Sequence, residues 1–286
     1  MKPLVIYHAN CWDGFCAAWL ARKALGEIDA VPAHYGHQPP NVSGREAYVL
    51  DFSYAFDVMA DMASTSRSLV VLDHHQTARK ALADLEAMFI THNMAGRAKY
   101  GEDVSGGRMA WDYFAFIGGW EGMKAPWLVD YTEDRDLWRH ALPESENVNA
   151  ALRSYPLEFE LWDRLGAVSD VINGTHLVQQ GEAIRRRERQ IVADHVRNAR
   201  IESFALLVGG PTQADDVRVP VVNATTLFSE IAGELAKGHP FAACYFDRQD
   251  GKRQWSLRSA PDGVDVSEIA KAHGGGGHKH AAGFEI

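Results

Sequence analysis

The chain has 286 residues, 46% hydrophobic and 23% charged, a balance that supplies buried cores and excludes a disordered polymer. Its length points to two domains, and 29 Lys and Arg against 38 Asp and Glu leave a formal charge of -9, which argues against stable binding of duplex DNA by a general basic face. Cys11, Cys16 and Cys244 form neither a CxxC pair nor an even framework, the start is too short in apolar residues for a signal peptide, and no apolar run reaches the roughly 18 residues of a membrane span, so a cytoplasmic setting with no membrane contact is expected.

In chain order, Leu4 to Ala9 reads as a strand and Gly14 to Leu25 as an amphipathic helix closed by Gly26. The loop between them carries His8 and Asp13, beyond the carboxyl end of a strand, where ligands gather in open α/β sheets. Asp13 is equally suited to capping the helix. Glu46 to Leu50 is the next strand, ending at Asp51-Phe52-Ser53, and Phe56 to Ala63 reads as helical.

The most informative stretch is Ser68-Leu69-Val70-Val71-Leu72-Asp73-His74-His75, a buried strand whose polarity flips in one step to a carboxylate and two imidazoles. In an extended chain Asp73 and His75 share one side and His74 takes the other. Three successive strand ends thus bear potential metal ligands, and right-handed crossovers bring parallel strand ends to one edge of a sheet. A shared metal site is the expectation.

Phe89 to Asn93 reads as a further strand with His92 in a structural role, and Ser105-Gly106-Gly107-Arg108 opens a helix that runs through Phe114. Residues 127–138 carry four acids, Asp130, Glu133, Asp134 and Asp136, among large apolar residues. Asp130 and Asp134 lie one helical turn apart. One of the four is expected to be a ligand, and the others to be solvated or paired with Arg135.

Ser169 to Ala199 reads as a long polar helix joining the halves. Beyond it, Phe204 to Val208, Val217 to Val222, Phe241 to Phe246 and Gln254 to Ser259 read as strands, and Leu227 to Ala236 and Val266 to Ala272 as helices. The run Gly274-Gly275-Gly276-Gly277, followed by His278-Lys279-His280, exceeds what a helix C-cap needs and predicts an anion-binding loop. Ser256 and Arg258 fall on one face of their strand, and the forked guanidinium suits a phosphate.

His8 with Asp13-Gly14, Asp51, Asp73-His74-His75, an acid between Val129 and Asp136, and the glycine-rich tail together resemble the DHH phosphoesterase superfamily, over nearly the whole chain. The resemblance implies an α/β protein with an N-terminal parallel-sheet DHH domain over residues 1–165, a connecting helix over 166–200, a smaller DHH-associated α/β domain over 201–286, and an active-site cleft between the domains. It implies two divalent ions, usually Mn²⁺, with Mg²⁺, Co²⁺ or another divalent ion as substitutes. Asp51 would bridge both, His8 would hold one, and Asp13, His74 and an acid near Asp134 would hold the other. Asp73 and His75 would serve the chemistry beside the metals. Ser256, Arg258, Gly274 to Gly277 and His278 would bind the substrate, a short oligonucleotide, dinucleotide or phosphonucleotide whose phosphoester bond is hydrolysed. The rival expectations are a pyrophosphate or polyphosphate phosphatase, and a nucleotide-binding regulator that has lost its chemistry.

One position departs from the family pattern. The first motif usually holds two aspartates, and Cys11-Trp12-Asp13-Gly14 puts cysteine at the first of them. Either Cys11 packs, leaving the first ion weakly held, or the site takes a metal other than Mn²⁺ or Mg²⁺.

Overall fold

The computed structural model describes residues 1–173, 175–208 and 217–286. It divides into two compact units, Met1–Ile184 and Arg185–Ile286.

The first unit is built on five parallel strands, β1 (Leu4–His8), β2 (Asp29–Ala33), β3 (Glu46–Leu50), β4 (Ser68–Asp73) and β5 (Gly96–Tyr100), in the order β2-β1-β3-β4-β5. Helices cover both faces, so the central strands are apolar on both sides, as parallel strands must be. Val5, Tyr48, Leu50, Val70 and Leu72 face one core with α1 (Trp12–Leu25), α4 (Gly106–Gly118), α5 (Trp127–Asp136), α6 (Ser145–Leu152) and α7 (Phe159–Gly166). Leu4, Ile6, Val49, Leu69 and Val71 face the other, with α2 (Phe56–Thr65) and α3 (Arg79–Thr91). The direction of winding reverses between β1 and β3. In a sheet of this order the crevice outside the carboxyl ends of those two strands is where ligands bind.

The second unit carries a six-stranded mixed sheet ordered β10-β11-β9-β8-β7-β6, formed by β6 (Arg200–Ser203), β7 (Arg218–Asn223), β8 (Ala242–Asp247), β9 (Arg253–Arg258), β10 (Gly276–His278) and β11 (Ala281–Glu285). Among the described residues of this sheet, only β7 and β8 pair in parallel. Its helices are α9 (Phe204–Val208), α10 (Phe228–Leu235) and α11 (Val266–Ala272). Trp255 is fully buried between Phe204 and Phe284. The long α8 (Leu177–Asn198) starts among the core residues of the first unit, through Leu177 and Ile184, and ends among those of the second, through Val192 and Val196.

Two expected strands are helical. Phe89 to Thr91 close α3, whose Leu82, Leu85 and Phe89 are buried at helical spacing, and His92 is its exposed C-cap. The strand that pairs with β4 is β5 instead. Phe204 to Val208 form α9, a short turn of helix after the edge strand β6. The edge strand β2 contains Pro32, which masks it in the sequence, because Pro is tolerated only where a ladder hydrogen bond is dispensable. The connecting helix begins at Leu177 rather than Ser169.

Candidate metal centre

The ends of β1, β3 and β4 deliver His8, Asp51 and His74 to one place, and α1 and α5 add Asp13 and Asp136. Asp51 leaves β3 with φ +54°, a left-handed conformation that aspartate adopts more readily than most residues, while its amide still donates to Leu72 O at 2.8 Å. That turn directs the carboxylate, 1% exposed, at three partners. His74 Nε2 stands 3.1 Å from Asp51 Oδ1, Cys11 Sγ 3.3 Å from Oδ2, and His8 Nδ1 3.7 Å from Oδ2.

Three close groups of possible ligands share Asp51, and two of them contain the residues just described. His8, Cys11 and Asp51 form one, and Asp13, Asp51 and His74 the other, each with one donor atom per residue within 4.8 Å of the rest. His74 Nε2 also lies 3.4 Å from Asp136 Oδ2 and 3.9 Å from Asp13 Oδ2. Asp13 is held by the first amides of α4: Gly106 N donates to Oδ2 at 2.5 Å and Gly107 N to Oδ1 at 2.9 Å. A helix N-terminus offers such unpaired amides and the positive end of its dipole. The glycines are there for space. A Cβ on Gly106 would lie 2.5 Å from Asp51 Cβ, and one on Gly107 2.9 Å from Asp13 Oδ1.

The electrostatics are those of a site short of positive charge. Burial, then Asp51 and Asp136, push the Asp13 carboxyl well above the usual range, and burial chiefly, with help from Asp51, raises that of Asp136. Burial also opposes ionisation of Asp51, but His74 and His8 overcome it and hold that carboxyl well down. Burial disfavours the charged form of His74, yet the surrounding Asp51, Asp136 and Asp13 lift its pKa to about 10. Two buried atoms in this region, His8 Nδ1 and Asp51 Oδ1, make no well-directed hydrogen bond. Crowded carboxylates and imidazoles with unspent lone pairs fit a divalent cation, which supplies the missing charge and takes those lone pairs.

Behind the centre, Asp73 is fully buried and its Oδ1 meets both the amide and Nδ1 of His75, at 3.1 and 2.7 Å. Asp73, Asp51 and His75 form a further close group. Tyr35, which the sequence did not single out, sets its ring edge-on to His8 and His75, with centroids 5.5 and 6.3 Å away.

The acid expected near Asp134 is corrected. Asp134 is buried with its carboxylate turned away, accepting from Ala141 N at 2.9 Å, Leu142 N at 3.4 Å and Ser145 Oγ, so it closes the loop after α5. Asp136, the last residue of α5, is the acid beside His74. Asp130 and Glu133 pair with Arg108, and Arg135 lies over Trp138 at 4.2 Å.

The glycine run is a turn followed by a strand rather than a loop. Gly274 N and Gly275 N donate to Lys271 O and Ala270 O, closing α11, and Gly276 and Gly277 enter β10. A Cβ on Gly275 would lie 2.1 Å from Gly283 O, and one on Gly277 2.5 Å from Ala281 O, so close backbone packing accounts for these two glycines. On β9, Trp255 and Leu257 are buried, and Ser256 and Arg258 share the opposite, half-buried face. Arg258 donates to Leu257 O at 2.7 Å and Ser229 Oγ at 2.8 Å. His278 lies in β10 beside Gly277.

Residues 226–286 match the DHHA1 domain. Among individual proteins, it is similar to the uncharacterized protein R106 of Acanthamoeba polyphaga mimivirus, 23% identical over 98% of this chain and 66% of that protein. It is also similar to the oligoribonuclease NrnB of Bacillus subtilis (strain 168), 40% identical over 68 residues, 24% of this chain and 17% of that one. The chain therefore spans less than two thirds of the curated relatives it matches. A solved DHH domain, described as coming from a member of a family of ribosomal proteins, shares the fold with a TM-score of 0.57 at 10% identity, over 99% of this chain and 82% of that one.

Proposed function

We propose that the protein is a divalent-metal-dependent phosphoesterase that hydrolyses short oligonucleotides, dinucleotides or phosphonucleotides. The observation that carries this reading is the delivery of His8, Asp13, Asp51, His74 and Asp136, from five elements, to one small volume at the reversal point of the sheet. The oligoribonuclease named among the relatives supports the choice of substrate.

Asp51, common to these ligand sets, would help to hold two ions, one with His8 and the other with Asp13, His74 and Asp136. Mn²⁺ is the family's usual ion. When bound, such ions supply Lewis acidity at the phosphoryl oxygens and acidify a water near neutral pH. The chain supplies the rest. The α4 amides fix Asp13 in place, so that its carboxylate needs no reorganisation. Asp73 orients His75 through Nδ1, as a carboxylate behind a catalytic imidazole does, and leaves His75 to hand a proton to the departing oxygen. Asp73 is then a positioning residue. In the second unit, Ser256, Arg258 and His278 are the proposed substrate contacts, with the backbone of Gly276 and Gly277 beside them. The three unpaired cysteines support the cytoplasm as its compartment.

The test is a panel of 5′-labelled dinucleotides to decanucleotides, adenosine bisphosphate and pyrophosphate, incubated with Mn²⁺. Turnover of the nucleotides, abolished in Asp51→Ala with the circular-dichroism spectrum unchanged, is expected. Binding without turnover across several metals would replace the enzyme by a nucleotide-binding regulator.

A further inference from the structure

The cysteine at the first motif does more than pack. Cys11 is the N-cap of α1, yet its side chain makes no capping hydrogen bond. Its sulfur points instead at Asp51 Oδ2, 3.3 Å away, in the same group as His8. The two other members of that group each present a buried atom without a well-directed hydrogen bond, His8 Nδ1 and Asp51 Oδ1, so the neighbourhood of the thiol holds unspent donor capacity.

The distances suit ligation as well as the hydrogen bond that the thiol donates to Asp51. Donors on one tetrahedral cation, at the metal–sulfur, metal–nitrogen and metal–oxygen lengths of zinc, stand about 3.3–3.8 Å from one another. Cys11 Sγ to Asp51 Oδ2 is 3.3 Å and His8 Nδ1 to Asp51 Oδ2 is 3.7 Å. Sulfur, imidazole nitrogen and carboxylate oxygen are the donor set of a borderline-soft ion, whereas Mn²⁺ and Mg²⁺ favour all-oxygen or oxygen–imidazole sets. The other set, Asp13, Asp51 and His74, contains no sulfur.

We infer that Cys11, with His8 and Asp51, forms a thiolate-ligated site for Zn²⁺, Fe²⁺ or Co²⁺, so that the centre is chemically asymmetric: a sulfur-bearing position beside one that takes harder ions. This rests on the metal-centre reading above, and the experiment separates the two.

The probe is Co²⁺ added to metal-stripped full-length protein, followed by absorption spectroscopy without substrate. A thiolate-to-cobalt charge-transfer band in the near ultraviolet is expected with the wild type and with Cys16→Ser and Cys244→Ser. It should be absent in Cys11→Ser, which keeps the fold because Ser is a favourable N-cap. In Cys11→Asp the Zn²⁺ over Mn²⁺ affinity ratio, measured by competition, should fall by an order of magnitude or more, since Zn²⁺ outcompetes Mn²⁺ on most sites and only the change in ratio reports the sulfur. Cobalt bound with visible d–d bands but no charge-transfer band would overturn the thiolate site and leave the metal centre standing. No bound cobalt at all would overturn both.

Discussion

Asp134 and Asp136 sit two residues apart in the same acidic stretch, and the structure assigns them opposite duties. Asp134 is 4% exposed and accepts from Ala141 N, Leu142 N and Ser145 Oγ. In Asp134→Asn one oxygen becomes an NH₂ group facing donors. At least one charge-assisted hydrogen bond goes, worth ~1.5–3 kcal/mol, and a buried donor is left without a partner, so the net cost is about 2–4 kcal/mol. At roughly 2–4 °C per kcal/mol for a unit of this size, the melting temperature should drop by about 4–16 °C. Asp136→Asn is different. Its side chain is 26% exposed, and its neighbours are His74 and the other carboxylates. Losing a like charge there should leave the metal-free protein within about 1 kcal/mol of wild type, while Mn²⁺ affinity falls by an order of magnitude. Melting curves in EDTA and calorimetric Mn²⁺ titrations read both quantities. If Asp134→Asn lost metal binding with its melting temperature intact, and Asp136→Asn bound Mn²⁺ as the wild type does, the assignment would be reversed.

Other outcomes follow from the same geometry. Gly107→Ala places a methyl 2.9 Å from Asp13 Oδ1 and 3.1 Å from Cys16 Sγ, so stability should fall by about 1–3 kcal/mol in urea melts, and Mn²⁺ should bind more weakly. Removing metal with EDTA should lower the melting temperature, since an ion at 100 times its Kd stabilises by about 2.7 kcal/mol; an unchanged curve would speak against a bound ion. Asp163 pairs with Arg22 at 2.7 Å and accepts from Trp19 Nε1 at 2.9 Å; partial burial opposes ionisation, but these partners hold its carboxyl below the usual range. A depressed folded pKa gives stability that is complete above the unfolded value of about 3.9 and lost as pH falls through the folded one. Because the side chain is a third exposed, Asp163→Asn should cost no more than about 1 kcal/mol at pH 7, and the difference from wild type should close on acidification. Trp255→Ala empties the centre of the second core and should cost about 3–5 kcal/mol, read by chemical denaturation.

The sequence made β1, β3 and β4 legible because each is an apolar run that changes abruptly to His, Asp or Asp-His-His. The same abruptness marked His8, Asp51 and His74. The choice among the acids of α5 was hidden, since acidic and apolar residues follow one another there without a clean stripe, and the face that looks at the strand ends is set by docking against α1 and α4. The Gly106-Gly107 amides were equally silent: a helix start was readable, but not that its first amides would serve a carboxylate some ninety positions earlier. Phe89 and Ile90 looked like a strand because a short apolar run carries no period of its own. The four glycines looked like a loop because the close approach of β11 that requires Gly275 and Gly277 is a tertiary fact.

The helix α8 sets a limit on how the protein can be divided for study. Val192, Val196 and Ala199 pack with Val222, Ile231 and Cys244, so a C-terminal fragment started at the first sheet residue, Arg200, would expose one side of its own apolar interior and be prone to aggregate. A fragment beginning near Arg185 keeps those side chains and is the better starting point for isolated expression.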